Sequence, residues 1–478
     1  MFMNVFKTCS CVLLGNAVFC AALAHSANSP DAQLKNWPQW RGPLGTGVAP
    51  FGNPPAQWSE TKNVKWKIRV PGDGASTPII WENKVFVLTA IATGKKVEPQ
   101  NTPTGQSEQP PPPTGAQAGR EGRGGPGGRG GPGRRGGRGG SDKPVEVQQF
   151  AVLCLDRQSG KTLWQQTGRE ELPHEGFKPG DGSFASPSAV TDGKHIFAFF
   201  GSRGLYSYDM DGKPEWNQDF GDMRILLSFG EGSSPALYGD TIVVNWDHEA
   251  GSFIVAIDKN TGKTIWKQPR AETTTWATPL IVEHQGKPQV VVPATGKIRS
   301  YDLASGNQVW ECAGLTRNVI PTPVAGHGMV YCMSGYQGNS LKAIRLDKSG
   351  DLTDSDAIVW THNKATPYVP SPLLFEDKLY FFSNNNGVLS CFDAISGKPY
   401  YTEERLEAIR TLYASPVEAN GKVYVVGRDG TAVVLKHSSD LEILATNKLD
   451  DRIDASPAVV GREMFLRGRQ NLYCIAEK

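Results

Sequence analysis

A Ser or Thr followed by Pro stands at eight places in this chain, at Pro78, Pro187, Pro235, Pro279, Pro323, Pro372, Pro416 and Pro457, and the residue two before each Pro is Ser, Ala or Pro. From Pro187 onward the spacing is nearly constant: Pro235 to Pro279 is a step of 44 residues, the longest step, Pro323 to Pro372, is 49, and the shortest, Pro416 to Pro457, is 41. A second signal runs in phase with the first. Between Gly251 and Pro279 lies one full copy: an apolar, β-branched run from Phe253 to Ile257, then Asp258, a polar turn closing at Gly262, Trp266, and a loop into Ala277-Thr278-Pro279. Asp156, Gly160 and Trp164 share that spacing, as do Asp302, Gly306 and Trp310; Asp209, Gly212 and Trp216 are one residue tighter, and Asp393, Gly397 and Tyr401 place Tyr where the others have Trp. A unit of this length cannot bury its apolar face alone, so the chain is restricted to an architecture of stacked repeats.

Units of about 40 to 50 residues that hold several short β-rich runs are propeller blades. Eight sites predict an all-β, eight-bladed β-propeller of four-stranded antiparallel blades. Each blade should have an inner strand starting at the Pro, a second strand such as Val423 to Val426, a third such as Gly387 to Phe392, and an outer strand carrying the Trp. After Pro457 the chain has strand patterns at Glu463 to Leu466 and Leu472 to Ile475 and then no outer strand. The missing piece is expected from the other end, where Asn63 to Ile68, with Trp66 at its centre, precedes Pro78. Such an N-terminal strand closes the ring and removes open sheet edges.

The Asp-x-x-x-Gly-Lys-x-x-Trp unit of Asp258 to Trp266 resembles the tryptophan-docking motif of pyrroloquinoline quinone (PQQ)-type propellers, a superfamily that includes quinoprotein alcohol dehydrogenases and the propeller lipoprotein of the outer-membrane assembly machine. Asn36-Trp-Pro-Gln-Trp-Arg-Gly-Pro43 and Val244-Asn-Trp-Asp-His-Glu249 are similar to the secreted PQQ-binding-like propeller proteins. The resemblance spans roughly residues 36 to 478 apart from one insertion. It implies the fold and admits two kinds of function, with PQQ and Ca²⁺ as the cofactors of one of them.

Residues 1–26 read as a secretory signal: Lys7 begins it, Cys11 to Leu23 is mostly apolar, and Ala22-Leu23-Ala24 or Ala24-His25-Ser26 offers small residues for cleavage near residues 24–27. The apolar run is short for a bilayer span, and no second one follows. The expectation is a soluble, monomeric protein of the periplasm or the extracellular space. Residues 27–62 are read as an N-terminal extension and 63–478 as the propeller. Within blade 1, residues 92–148 form an insertion, first Pro-rich and then rich in Gly and Arg, whose composition cannot bury a core and predicts disorder. A formal charge of +2 argues for no nucleic-acid partner. Cys9, Cys11 and Cys20 leave with the signal; Cys154, Cys391 and Cys474 share a third-strand slot filled elsewhere by Ser207, Ala256, Ser300, Ala343 and Val434, which marks them as small buried side chains. Cys312 and Cys332 lie in adjoining blades, where pairing stays open.

Trp164, Trp216, Trp266, Trp310 and Trp360 recur at one repeat position and read as scaffold. Function is expected where the repeats differ. Three residues before each Pro stand Ala75, Phe184, Gly232, Trp276, Ile320, Val369, Tyr413 and Asp454, at the mouth of a funnel shared with Arg224, Glu231, Arg317, Asn318, Tyr368, Arg410 and Arg452. Arg forks suit carboxylates and phosphates, and an aromatic face suits a ring, a sugar or a peptide. The candidate ligand-binding residues are therefore Trp276, Arg317, Arg410, Tyr413, Arg224 and Arg452, with Asp247 and His248 added from the most chemical-looking loop. The alternative is that these side chains plug the channel and pair with Glu231, Asp451 and Asp454, and that the loop at His248 is a hydrogen-bonded brace. No Gly-x-Ser-x-Gly elbow and no His-Glu-x-x-His occurs, and no metal site is expected. One reading is a secreted or periplasmic non-catalytic scaffold that binds a protein, envelope or glycan partner through its funnel face. The other, implied by the resemblance, is a PQQ- and Ca²⁺-dependent quinoprotein dehydrogenase, with Arg317 or Arg410 on the quinone carboxylates and its ring on Trp276.

Overall fold

In the computed structural model, which describes residues 30–97 and 143–477, the apolar runs pair as eight antiparallel sheets of four strands around one axis. The inner strands follow each other from Ile79–Trp81 in blade 1 to Ala458–Val460 in blade 8. Blade 4 carries a short fifth strand, Gly350–Asp351, parallel to its outer edge. The ring closes as the sequence predicts: Val64–Arg69 is the outer strand of blade 8 and pairs with Asn471–Ile475, Trp66 standing opposite Cys474. Signal and insertion fall largely on residues 1–29 and 98–142, outside the described residues. The insertion's flanks continue the sheet, since strands Lys84–Lys96 and Glu146–Asp156 run beyond the apolar cores visible in the sequence.

The repeated Asp, Gly and Trp have one joint purpose. Five docking Trp lie on the Gly turn of the next blade and donate the indole N–H to a main-chain carbonyl there: Trp66 to Arg157 at 2.9 Å, Trp164 to Met210 at 3.1 Å, Trp216 to Lys259 at 2.9 Å, Trp266 to Leu303 at 2.8 Å and Trp360 to Ala394 at 2.9 Å. Gly262 shows why the turn needs glycine: its φ is +70° and a Cβ there would lie 2.7 Å from the Trp216 ring. Trp310 reaches its neighbour through Gln289, which accepts the indole proton and donates to Leu346 O. Blade 7 has Ala445 in the aromatic slot, and Trp58 of the N-terminal segment packs in the same cluster, stacked on Tyr424.

The small third-strand slot is explained by the same Trp. Cys154, Ser207, Ala256, Ser300, Ala343 and Cys474 stand directly across the sheet from Trp164, Trp216, Trp266, Trp310, Trp360 and Trp66, and Cys391 from Tyr401. A large residue there would collide with the indole, so Cys serves as a compact apolar filler. Cys312 and Cys332 are both buried and free.

The Ser/Thr-Pro signal marks a ring of hydroxyls around the axis. The N–H of Thr77 donates to Ser188 Oγ, Ser188 to Ser234, Ser234 to Thr278, Thr278 to Thr322, Thr322 to Ser371, Ser371 to Ser415 and Ser415 to Ser456, at 2.9 to 3.1 Å. Thr77 Oγ1 closes the circle onto Ser456 O. This chain corrects the repeat register of blade 2. Ser188-Ala189, not Ser186-Pro187, is its equivalent of Ser234-Pro235, because Ser188 makes the ring contact and the inner strand begins at Val190. Sequence alone prefers Pro187 because blade 2 has its Ser-Pro pair two residues upstream of the true site, where Ala189 takes the place of Pro.

Candidate functional site

The inner strands converge so closely that the residues two before each ring hydroxyl face the axis together. Ala75, Ser186, Gly232, Trp276, Ile320, Val369, Tyr413 and Asp454 line a cavity of about 230 Å³. Seven of these are the residues the sequence placed at the funnel; the eighth is Ser186, and Phe184 instead packs edge-on against Phe177 and Phe150.

The opposite end of the axis is shut by the N-terminal segment. Trp40 borders both the funnel and a larger groove of about 660 Å³ at that end. Beside it Arg41, almost fully buried, donates to the carbonyls of Pro372, Pro416 and Thr46. Burial without a carboxylate lowers its guanidinium to about 9. The Trp-Arg of Asn36 to Pro43 is thus a plug. The groove's other charges are paired with each other, Lys259 with Asp192 at 2.9 Å and Asp240 at 3.1 Å.

The connector from blade 1 to blade 2 reaches over the funnel mouth to blades 7 and 8. Asp181 pairs with Lys178 at 2.6 Å and with Arg428 at 3.1 Å, and accepts the Tyr413 hydroxyl at 3.0 Å. The Gly180 carbonyl accepts from Arg428 and Arg452, and that of Gly182 from Arg469. Asp454, buried below the mouth, accepts from Arg428, Arg452 and Arg469 together. Arg469 also binds Asp73 at 2.7 Å. Burial by itself would raise the Asp181 carboxyl, but hydrogen bonds from Lys178, Arg428 and Tyr413 outweigh it and hold it below the ordinary carboxylate range. Burial pushes the Tyr413 hydroxyl up to about 12. Glu231 on the far wall is held by Ser202 and Arg203.

The rings are fixed as firmly as the charges. Trp276 donates to Gly230 O at 2.7 Å, Tyr413 lies 3.6 Å under the Arg428 guanidinium, and Tyr368 stacks on Tyr336 at 4.8 Å.

The remaining candidates lie elsewhere. Arg317 and Arg410 are exposed, outside the cavity wall, and have no side-chain partner among the described residues. Arg224 is exposed and donates to Glu249 O. Asp247 is buried against Arg270 at 2.7 Å and takes Thr275 Oγ1. Both ring nitrogens of His248 face backbone N–H groups, of Arg224 and Gly251. In that loop Asp247 and His248 act as a brace, their side chains already engaged by Arg270, Thr275 and two backbone N–H groups. Arg428, Arg469, Asp181 and Lys178 were not singled out by sequence reasoning. A signal for the two arginines existed: each follows a Gly in the loop between second and third strands, Gly427-Arg428 and Gly468-Arg469.

A family model of PQQ-type repeats, described as outer membrane protein assembly factor BamB, matches residues 148–403. The chain belongs to this PQQ-like propeller family. No curated protein matches its sequence. Among solved structures, quinohemoprotein alcohol dehydrogenase from Comamonas testosteroni superimposes with a TM-score of 0.58 at 9% identity, covering 95% of this chain and 82% of that one. A europium-containing methanol dehydrogenase gives 0.56 at 10% identity, covering 94% and 99%. BamB from Moraxella catarrhalis gives 0.48 at 15% identity, covering 68% and 88%. At these identities the likeness establishes the fold alone.

PQQ carries carboxylates and its dehydrogenases a metal, so the propeller can be tested for both. Among the described residues no group of three or more His, Cys, Asp or Glu side chains is placed to hold an ion. The guanidinium groups at the cavity, Arg428, Arg452 and Arg469, are tied to Asp181, Asp454 and Asp73. The wall itself carries Asp181, Glu231 and Asp454 against Lys178. A polyanionic quinone with its cation does not fit this donor set. No helix among the described residues is long and apolar enough to cross a membrane.

Proposed function

We propose that this PQQ-like propeller is a non-catalytic recognition module, exported to the periplasm or the extracellular space, that takes a group of an envelope partner into its funnel. One observation carries the reading: all four charged residues on the funnel wall, Lys178, Asp181, Glu231 and Asp454, are neutralised by a neighbouring charge. A wall of compensated charges and immobile rings is a preformed binding surface. Each of its carboxylates is engaged by a neighbouring cation, which leaves none as an uncompensated base for proton transfer. The family model's description as an assembly factor of outer-membrane proteins supports a partner in the envelope.

The test has two arms. The mature protein is titrated with PQQ and Ca²⁺ while its melting temperature and alcohol-dependent dye reduction are followed; a ligand that binds the folded state must raise the melting temperature. No shift and no turnover are expected, and saturable turnover overturns the proposal. In the second arm, immobilised wild type should retain washed envelope material that Trp276→Ala does not.

A further inference from the structure

We infer that the group taken into the funnel is a neutral sugar ring, a monosaccharide or the end residue of a glycan; the inference rests on the recognition reading and names its ligand. The hydroxyl ring carries the inference. Seven hydroxyls, those of Ser188, Ser234, Thr278, Thr322, Ser371, Ser415 and Ser456, each accept a backbone N–H. A Ser or Thr hydroxyl also has one proton to donate. Among the described residues no side chain or carbonyl accepts any of these seven protons, although every one of the residues is at most 7% exposed. Buried donors of this kind call for an acceptor. Ser188, Ser234 and Ser456 lie on the funnel wall itself, so their protons are within reach of whatever fills it.

The other walls narrow the chemistry. Above the hydroxyls, the oxygens of Asp181, Glu231 and Asp454 are charge-compensated yet keep lone pairs, since Glu231 Oε2 and Asp454 Oδ1 each accept one hydrogen bond. To the side stand the rings of Trp276, Tyr368 and Tyr413. An anion would meet three carboxylates. A cation would meet donors at the floor and Lys178, Arg428, Arg452 and Arg469 around the mouth. An apolar ligand would leave the hydroxyl protons buried without partners. A pyranose satisfies each wall: its oxygens accept from the ring, its hydroxyls donate to the carboxylates, and its C–H face lies on an aromatic. The cavity of about 230 Å³ falls below the ~300–1,000 Å³ usual for drug-sized ligands, which suits one sugar ring.

The mature chain is titrated calorimetrically with glucose, galactose, mannose and N-acetylglucosamine, with glucuronate and glucosamine as charged controls. At least one neutral sugar should bind, at least tenfold tighter than either control. Trp276→Ala should lose that binding. Ser234→Ala should weaken it about fivefold, one hydrogen bond's worth, and Ser234→Thr, which keeps the donor, should restore it; melting curves show that each variant is folded. Preference for a charged control, binding indifferent to Ser234→Ala, or no neutral sugar binding at tens of millimolar overturns the assignment. If envelope retention depends on Trp276 and no sugar competes, the sugar falls while the recognition reading stands. If retention is also independent of Trp276, both fall.

Discussion

Trp266, on the outer strand of blade 3, and Trp276, in the connector that leads into blade 4, are ten residues apart, and they belong to two different kinds of position. Trp266 sits in the outer ring, at a place where the blades repeat the same residue, and is 8% exposed against the next blade's turn. Trp276 sits in the inner ring, where no two blades agree, and faces the shared cavity. A position that mates two copies of the same unit has to keep its shape from blade to blade, as six of the eight do with Trp. A position that faces the axis has no copy to mate with, so it is free to differ and to carry recognition.

The sharpest break of this comparison is the pair of truncations. Trp266→Ala should destabilise by about 3–5 kcal/mol in guanidinium unfolding, through lost burial and the cavity left behind, without changing funnel selectivity. Trp276→Ala should lose less than about 2 kcal/mol and abolish binding. Equal losses of stability would erase the distinction.

A second test lies where the inner strand of blade 7 meets the N-terminal segment. Val48 bridges Glu418, whose side chain is 1% exposed, receives the Gly421 N–H, and has Lys422 and Glu376 as charged neighbours. Burial pushes its carboxyl up to about 7. A folded pKa above the unfolded one means that the folded state holds the proton more tightly. The stabilisation is therefore complete below about pH 4.5 and is lost as pH rises through about 7. Glu418→Gln should be more stable than wild type by up to about 3 kcal/mol at pH 8 and nearly equal to it at pH 4.5. A difference independent of pH would rule the buried carboxylate out as its source.

Gly262→Ala is milder, because the Trp216 ring can give a little. A loss of roughly 1–3 kcal/mol in thermal unfolding is expected from overpacking and the positive φ. Smallest are Arg317→Ala and Arg410→Ala. Both side chains are exposed and have no side-chain partner among the described residues, so stability should stay within about 0.5 kcal/mol. A larger loss would place them in the scaffold after all.

The blade count, the docking residues, the small slot and the closing strand were legible in the sequence, because each recurs and recurrence reports a packing constraint. The funnel positions were legible for seven blades and missed in blade 2, where two Ser-Pro-like registers compete and only the hydroxyl contact from Thr77 selects Ser188. Arg224, Arg317 and Arg410 were proposed for their charge, yet none of them is on the cavity wall. The guanidinium groups that do stand at the mouth belong to Arg428, Arg452 and Arg469, brought to the connector at Asp181 from blades 7 and 8, which stand beside blade 1 only once the ring has closed.

By itself, then, the sequence determined a closed wheel of eight four-stranded sheets, since periodic apolar runs and a repeated Asp-Gly-Trp unit can be buried in no simpler way. Which charges meet, that the connector before blade 2 crosses the mouth, and that Trp40 and Arg41 stop the channel were decided by the tertiary structure. The reason is distance along the chain: Arg41 bonds a carbonyl 375 residues away, and no local pattern records a contact made only when the circle has closed.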